Sequence, residues 1–203
     1  MKIIFIADFF IEDLIGGGEL NNEEAIVLLR EKNEVVKIRS HQVDLNFLKQ
    51  NRNNQFIIAN FINLNQSCKE YLFKNCSYLI YEHDHKYLKN RNPAMYKNFI
   101  APKDDIINYD FYKNAKAVLS QSTFHKNIIK SNLKLENIIS LSGNLWSAQT
   151  IEKIKQFSKK DKTGACSIMN SNTAHKNVMG AIKYCENNNK PYKIIDPCPY
   201  YDF

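Results

Sequence analysis

A repeating rhythm constrains this chain more than any other feature. Short apolar runs of strand length alternate with segments whose apolar residues follow helical spacing. The first run, Lys2–Ala7, is continuous and rich in Ile and Phe, the pattern of a strand buried on both faces. It stops at Asp8, and the glycine cluster Gly16-Gly17-Gly18 follows after a short loop. Residues 19–32 then place Leu20, Ala25, Ile26, Leu28 and Leu29 at mostly helical spacing, with acidic side chains in the first turn. Glu34–Arg39 reads as a second strand. A strand, glycine loop, helix and strand in succession predict a right-handed parallel crossover.

The rhythm continues. Strands are expected at 55–60, 78–81, 117–120 and 137–141, and helices at 67–75, 104–114 and 122–132. The stretch 86–102, with Pro93 and Pro102, reads as irregular or partly helical. Alternation with short loops implies an α/β fold with a doubly wound, mostly parallel, Rossmann-like sheet over 1–145. An amphipathic connector helix is expected at 147–160. A fresh cycle then starts with strand 165–169, loop 170–174, helix 175–189 and strand 192–196. Residues 146–203 therefore read as a partial βαβ unit, too small to bury both faces of its own sheet.

Composition narrows the function classes. The formal charge of +7 raises the question of nucleic acid, but the lysines are dispersed and form no sustained basic block. The reading is a protein that binds no nucleic acid, with peripheral contact to an anionic membrane left open. Five cysteines, odd in number and without a CxxC pair, fit neither a zinc site nor a disulfide framework, and thiols in a reducing compartment are expected. The amino-terminal apolar run is interrupted by Asp8 and lacks a small-residue cleavage site, so it reads as a strand rather than a signal peptide. No apolar run approaches the ~20 residues of a membrane span. A soluble, cytoplasmic protein is the expectation.

Three places can carry chemistry. Gly16-Gly17-Gly18-Glu19 sits between a strand and a helix start, where glycines permit close backbone approach and free amides attract anions. It matches neither GxGxxG nor a P-loop, and a structural turn is the competing reading. Glu82-His83-Asp84-His85 lies at the carboxyl end of a strand, the edge at which open α/β sheets bind ligands. Imidazole beside carboxylate can serve as a general base; a solvated loop or a metal site would use the same residues, although alternate histidines on extended backbone point opposite ways. The third place is Asn170-Ser171-Asn172 with His175-Lys176-Asn177, where Lys176 at a helix start would suit a diphosphate. Ser122-Thr123 reads as a helix cap, and His125 as a surface or packing residue.

Taken in order, GGGE after the first strand, a later strand running into HDH, and a terminal strand, loop, HKN and helix resemble retaining, nucleotide-sugar-dependent glycosyltransferases of the GT-B fold. The resemblance spans nearly the whole chain through short motifs. It implies an acceptor-binding domain over 1–145 and the start of a donor-binding domain over 146–203. It implies transfer of a sugar from a nucleotide-sugar to a hydroxyl of a glycan or lipid-linked acceptor. Gly16, Gly17, Gly18 and Glu19 would face donor and acceptor; His83, Asp84 or His85 would orient or deprotonate the acceptor. Lys176 would neutralise the departing diphosphate. The nucleotide-sugar would be a co-substrate, with no metal or other cofactor required. The pair of glutamates that binds the donor in that family has no counterpart here, so a truncated chain or a second polypeptide carrying the rest of the donor domain is expected. The rival from another class is a non-catalytic Rossmann-like binding module. An epimerase-like nucleotide enzyme is disfavoured by the missing GxGxxG.

Overall fold

Strand β1 (Lys2–Ala7) is buried over five of its six residues, as its unbroken apolar run requires. It pairs in parallel with β2 (Glu34–Arg39) on one side and with β3 (Gln55–Ile58) on the other. Beyond β3 come β4 (Ser77–Glu82), β5 (Ala117–Ser120) and β6 (Ile138–Ser140), giving a six-stranded parallel sheet of order β2-β1-β3-β4-β5-β6. The computed structural model describes residues 1–172 and 176–196. The chain forms two compact units, Met1–Leu145 and Trp146–Phe203.

Alternate residues of each strand face opposite sides of the sheet, and each side has its own core. On one side Ile3, Phe5 and Ala7 meet Ile26 of α1 (Gly17–Arg30), with Ile57, Ala59 and Tyr81. On the other, Ile4, Ile6, Phe56, Ile58, Tyr78 and Ile80 meet side chains of four helices. These are α2 (Leu45–Asn51), α3 (Gln66–Asn75), α4 (Tyr109–Lys113) and α5 (Thr123–Leu133). The sheet is thus doubly wound. Each fully buried side chain of this size contributes about 1.5–3 kcal/mol.

The order reverses between β1 and β3, because the chain leaves β1 toward β2 and returns to its other flank. Asp8, at the carboxyl end of β1, braces this switch point: its carboxylate accepts from the backbone N–H of Ile62 (2.9 Å) and Asn63 (3.0 Å), and from the Ser40 hydroxyl. The loop before α1 is tied to β2 by a bidentate Arg39–Asp13 pair and by Lys37 reaching Glu12, and Lys37 also pairs with Glu23 of α1.

Three expectations need correction. Helix α2 lies in a stretch with no assigned element; its signal is Asp44, whose side chain accepts from Phe47 N–H at 2.7 Å as an N-cap. The helix expected at 104–114 shrinks to Tyr109–Lys113, because Ile106 pairs with Leu88 in an antiparallel bridge and Ile107 N–H donates to Tyr87 C=O at 2.8 Å. Asn108, at φ 56°, then turns the backbone into the short helix. Glu82 belongs to β4 rather than to the loop after it, and is fully buried.

The second unit contains α6 (Ala148–Ser158), β7 (Cys166–Met169), α7 (Val178–Asn187) and β8 (Tyr192–Ile195), with β7 and β8 parallel. Ser147 caps α6, accepting from Thr150 N–H at 3.0 Å. His175 and the segment from Pro197 to Phe203, including Cys198, lie outside the described residues.

Candidate active site at the carboxyl edge of the sheet

The polar residues of the first unit converge where β1, β3, β4 and β5 end. Helix α1 begins at Gly17, with Gly16 extended as its N-cap. Glu19 curls back over this start: a Cβ on Gly16 would lie 2.5 Å from Glu19 Oε2, so a side chain there would push this carboxylate aside. A carboxylate of the chain itself therefore answers the positive end of the helix. Burial raises the Glu19 pKa, and the Asn60 side-chain amide donates to Oε1 at 3.4 Å across the switch point. Space beside Gly17 is open, whereas a Cβ on Gly18 would touch the His83 ring at 3.9 Å. The structure brings Gly18 and His83 together.

The loop after β4 turns on Glu82. Its buried carboxylate accepts from Asp84 N–H (2.9 Å), from Lys86 Nζ (3.3 Å) and from the Tyr112 hydroxyl. Burial alone would raise the Glu82 pKa, but the Lys86 charge and these hydrogen bonds outweigh it and hold the group at about 2. Lys86, itself 2% exposed, also pairs with Asp84, which Arg91 reaches at 3.3 Å. Burial lowers the Lys86 pKa, yet the two carboxylates prevail and raise it. The buried Glu82–Lys86 pair thus closes the turn between these two residues.

His83 and His85 leave this turn on opposite courses, as alternate positions should. His83 points to α1, where Nε2 meets Asn22 Oδ1 at 2.8 Å, and its Nδ1 meets Gln121 Nε2 at 3.0 Å. An amide oxygen only accepts and an amide nitrogen only donates, so His83 is the neutral tautomer protonated on Nε2. Burial lowers its pKa to about 4. His85 adopts φ 56°, uncommon for a side chain of its size, and directs Nδ1 to the Tyr87 hydroxyl at 3.1 Å. Burial, then the proximity of His125, lowers its pKa to about 4.

His125, read from the sequence as a surface or packing residue, is 8% exposed and packs its ring against that of His85, the centroids 4.3 Å apart and the planes tilted by 54°. Ser122 caps α5 by accepting His125 N–H at 3.1 Å, which fixes the histidine over the end of β5. Sequence reasoning also missed Asn22, Asn60, Gln121, Lys86 and Tyr112. The position of Asn60 and Gln121, each just past a strand, was the available signal. Lys176 stands on the second unit, exposed, two residues ahead of α7.

Chemically, the arrangement offers neutral imidazoles, a half-exposed carboxylate at Asp84 and several amides. Among the described residues, no cluster of three or more His, Cys, Asp or Glu side chains is disposed to hold a metal ion. No helix among them is long and apolar enough to cross a membrane.

The sequence matches no family model, and no curated protein matches it. Among solved structures, the chain is similar to an alpha-glucosyltransferase in complex with UDP and a 13-mer DNA containing a central A:G mismatch, with a TM-score of 0.52 and 13% identity. The match covers 99% of this chain and 57% of that one, so the chain spans little more than half the length of its structural neighbour. At that identity the likeness concerns fold alone: the parallel sheet and its helices form a Rossmann-like α/β fold that the neighbour shares.

Proposed function

We propose that this chain is part of a glycosyltransferase of the GT-B type, in which the unit 1–145 binds the acceptor and the unit 146–203 begins the donor-binding half. The observation that carries the reading is the loop after β4, which sets unprotonated imidazoles beside a carboxylate at the edge where α/β sheets bind ligands. His85 spends Nδ1 on Tyr87 and keeps Nε2 for a substrate. In this reading an acceptor hydroxyl passes its proton to His85 Nε2 as the oxygen bonds to the sugar and the nucleoside diphosphate leaves. His83 orients through its ring, Asp84 accepts a hydroxyl hydrogen bond, and Gly17 leaves room for the ligand to approach.

The UDP of the structural neighbour supports a nucleotide-sugar as the donor. Lys176, with helix-terminal amides, would hold the departing diphosphate without a metal. The remainder of the donor site would come from further sequence or a second polypeptide. The neighbour's DNA is not carried over, because the lysines here are dispersed along the sequence and form no sustained basic block. Membrane contact rests on the dispersed positive charge alone.

Saturation-transfer NMR of the 203-residue chain tests this reading. Glycans should receive transfer that Asp84→Ala diminishes, and UDP-hexoses should receive weaker transfer that Lys176→Ala diminishes. Signals unchanged in both variants would sink the assignment. Glycan binding with no response to any nucleotide-sugar, even with a second half supplied, would favour the non-catalytic binding module.

A further inference from the structure

The connection from β4 to α4 is the longest in the first unit, and its charges are one-sided. Residues 86–103 include Lys86, Lys89, Arg91, Lys97 and Lys103 and no acidic side chain; the next carboxylates are Asp104 and Asp105. Lys86 is committed to Glu82 and Asp84, Arg91 reaches Asp84, and Lys89 lies 3.8 Å from Asp105. Lys97 and Lys103 are exposed, and among the described residues neither pairs with a carboxylate.

The same stretch turns large apolar side chains outward. Met95 is 72% exposed and Ile100 51%. Phe124, in the first turn of α5, is 64% exposed and meets the Phe99 ring edge-on at 5.7 Å. Hydrogen bonds hold this display in place. The buried Asn132 side chain donates to Phe99 C=O at 2.8 Å and accepts from Ala101 N–H at 2.9 Å. The Tyr96 hydroxyl donates to Asp105 at 2.9 Å. Asn98 and Phe99 take φ of 57° and 61°, left-handed backbone that a bulky residue keeps only where its surroundings fix it.

An exposed apolar cluster among cations calls for an apolar phase with an anionic surface. A bilayer containing anionic lipid supplies both: acyl chains for Met95, Phe99, Ile100 and Phe124, and phosphates for Lys97 and Lys103. Nucleic acid would offer phosphates but no apolar phase. A second copy of the chain, placed face to face here, would set cation against cation.

We infer that residues 95–100 and Phe124 form a docking surface for an anionic membrane. The inference goes beyond the proposed function, which has only the dispersed charge to suggest a membrane, and does not depend on it. Phe124 precedes His125, whose ring packs against His85, so docking holds the candidate site beside the lipid surface.

Co-sedimentation of the 203-residue chain with vesicles tests this. Phosphatidylcholine vesicles with added phosphatidylglycerol should bind at least about tenfold more tightly than phosphatidylcholine alone. Lys97→Gln with Lys103→Gln should weaken that binding about thirtyfold. Met95→Ser with Phe124→Ser should weaken it about tenfold. All four side chains are exposed, so far-UV circular dichroism should not change. Lys32→Gln with Lys49→Gln, an equal charge change at exposed positions ahead of β2 and on α2, should alter binding by less than about twofold. Equal losses from the two lysine pairs, or binding indifferent to lipid charge, would overturn the inference. So would a chain that ignores vesicles, and self-association abolished by Met95→Ser with Phe124→Ser would then assign the cluster to a protein interface. None of these results touches the proposed function, whose glycan and UDP-hexose responses are read on soluble ligands.

Discussion

The two units use the same parallel βαβ grammar and reach opposite states of burial. In the first, β1 and β4 are buried over most of their length, and two apolar clusters sandwich the sheet. In the second, β7 exposes Met169, and β8 exposes Tyr192 and Ile194 despite equally apolar sequences. Ile168 and Cys185 are the buried apolar residues described there. Local propensity and crossover geometry suffice to shape a strand, a helix and a strand. Burial on both faces needs more layers than one such unit can provide.

The contrast should appear most strongly in Lys86→Met. Removing this cation strands the Glu82 carboxylate, and an uncompensated buried charge costs about 3–5 kcal/mol. Urea unfolding followed by circular dichroism measures the loss. Combining it with Glu82→Gln should recover most of the stability, and failure to recover would mean that the pair does more than neutralise itself. Next in size is a matched truncation. Ile58→Ala, at a fully buried site, should cost about 2–5 kcal/mol. Ile194→Ala, 43% exposed in the second unit, should stay within about 0.5 kcal/mol. Equal costs would show that another chain covers β8 in solution.

What could be read in the sequence followed from periodicity. β1 and β5 appear within the expected bounds because continuous apolar runs leave few alternatives for parallel strands, and β2, the edge strand, because Val35, Val36 and Ile38 are β-branched. Helix α2 escaped because seven residues hold too few apolar positions to show a period, leaving only the Asp44 cap as a sign. The helix expected at 104–114 failed because Ile106 and Ile107 satisfy their backbone by pairing with the loop after β4, a contact between segments far apart in sequence. The site divides similarly. His83, Asp84 and His85 could be found because they are contiguous and follow a strand. Asn22 and His125 could not, since they lie within helices and only the order of strands in the sheet brings them to the same edge. The role of Glu82 was hidden for the opposite reason. Its neighbours in sequence placed it in a polar loop facing a ligand, whereas Lys86 and Tyr112 hold it buried at the end of β4.

Acid separates the units as well. In the folded first unit His83 and His85 sit near a pKa of about 4, lowered by burial from an ordinary 6.5. Below pH 6.5 the unfolded chain takes up protons at these positions while the folded chain does not. Stability is therefore full above pH 6.5 and falls as pH drops toward 4, by about 1.4 kcal/mol per pH unit for each histidine. Glu82, depressed from 4.5 to about 2, adds its loss only in the lower window between those values. Urea midpoints at pH 7.5, 6, 5 and 4 should thus decline well before carboxylates titrate. His83→Asn, which keeps an amide toward α1, should flatten the slope between pH 6 and 5 by one proton. Amide exchange in α7 and β8 should follow only its intrinsic pH dependence over that range, because among the described residues the shifted histidines belong to the first unit. An acid limb that begins only below pH 4.5 would mean that the loop after β4 is solvated, and that the neutral imidazoles on which the proposed proton transfer depends are not held there.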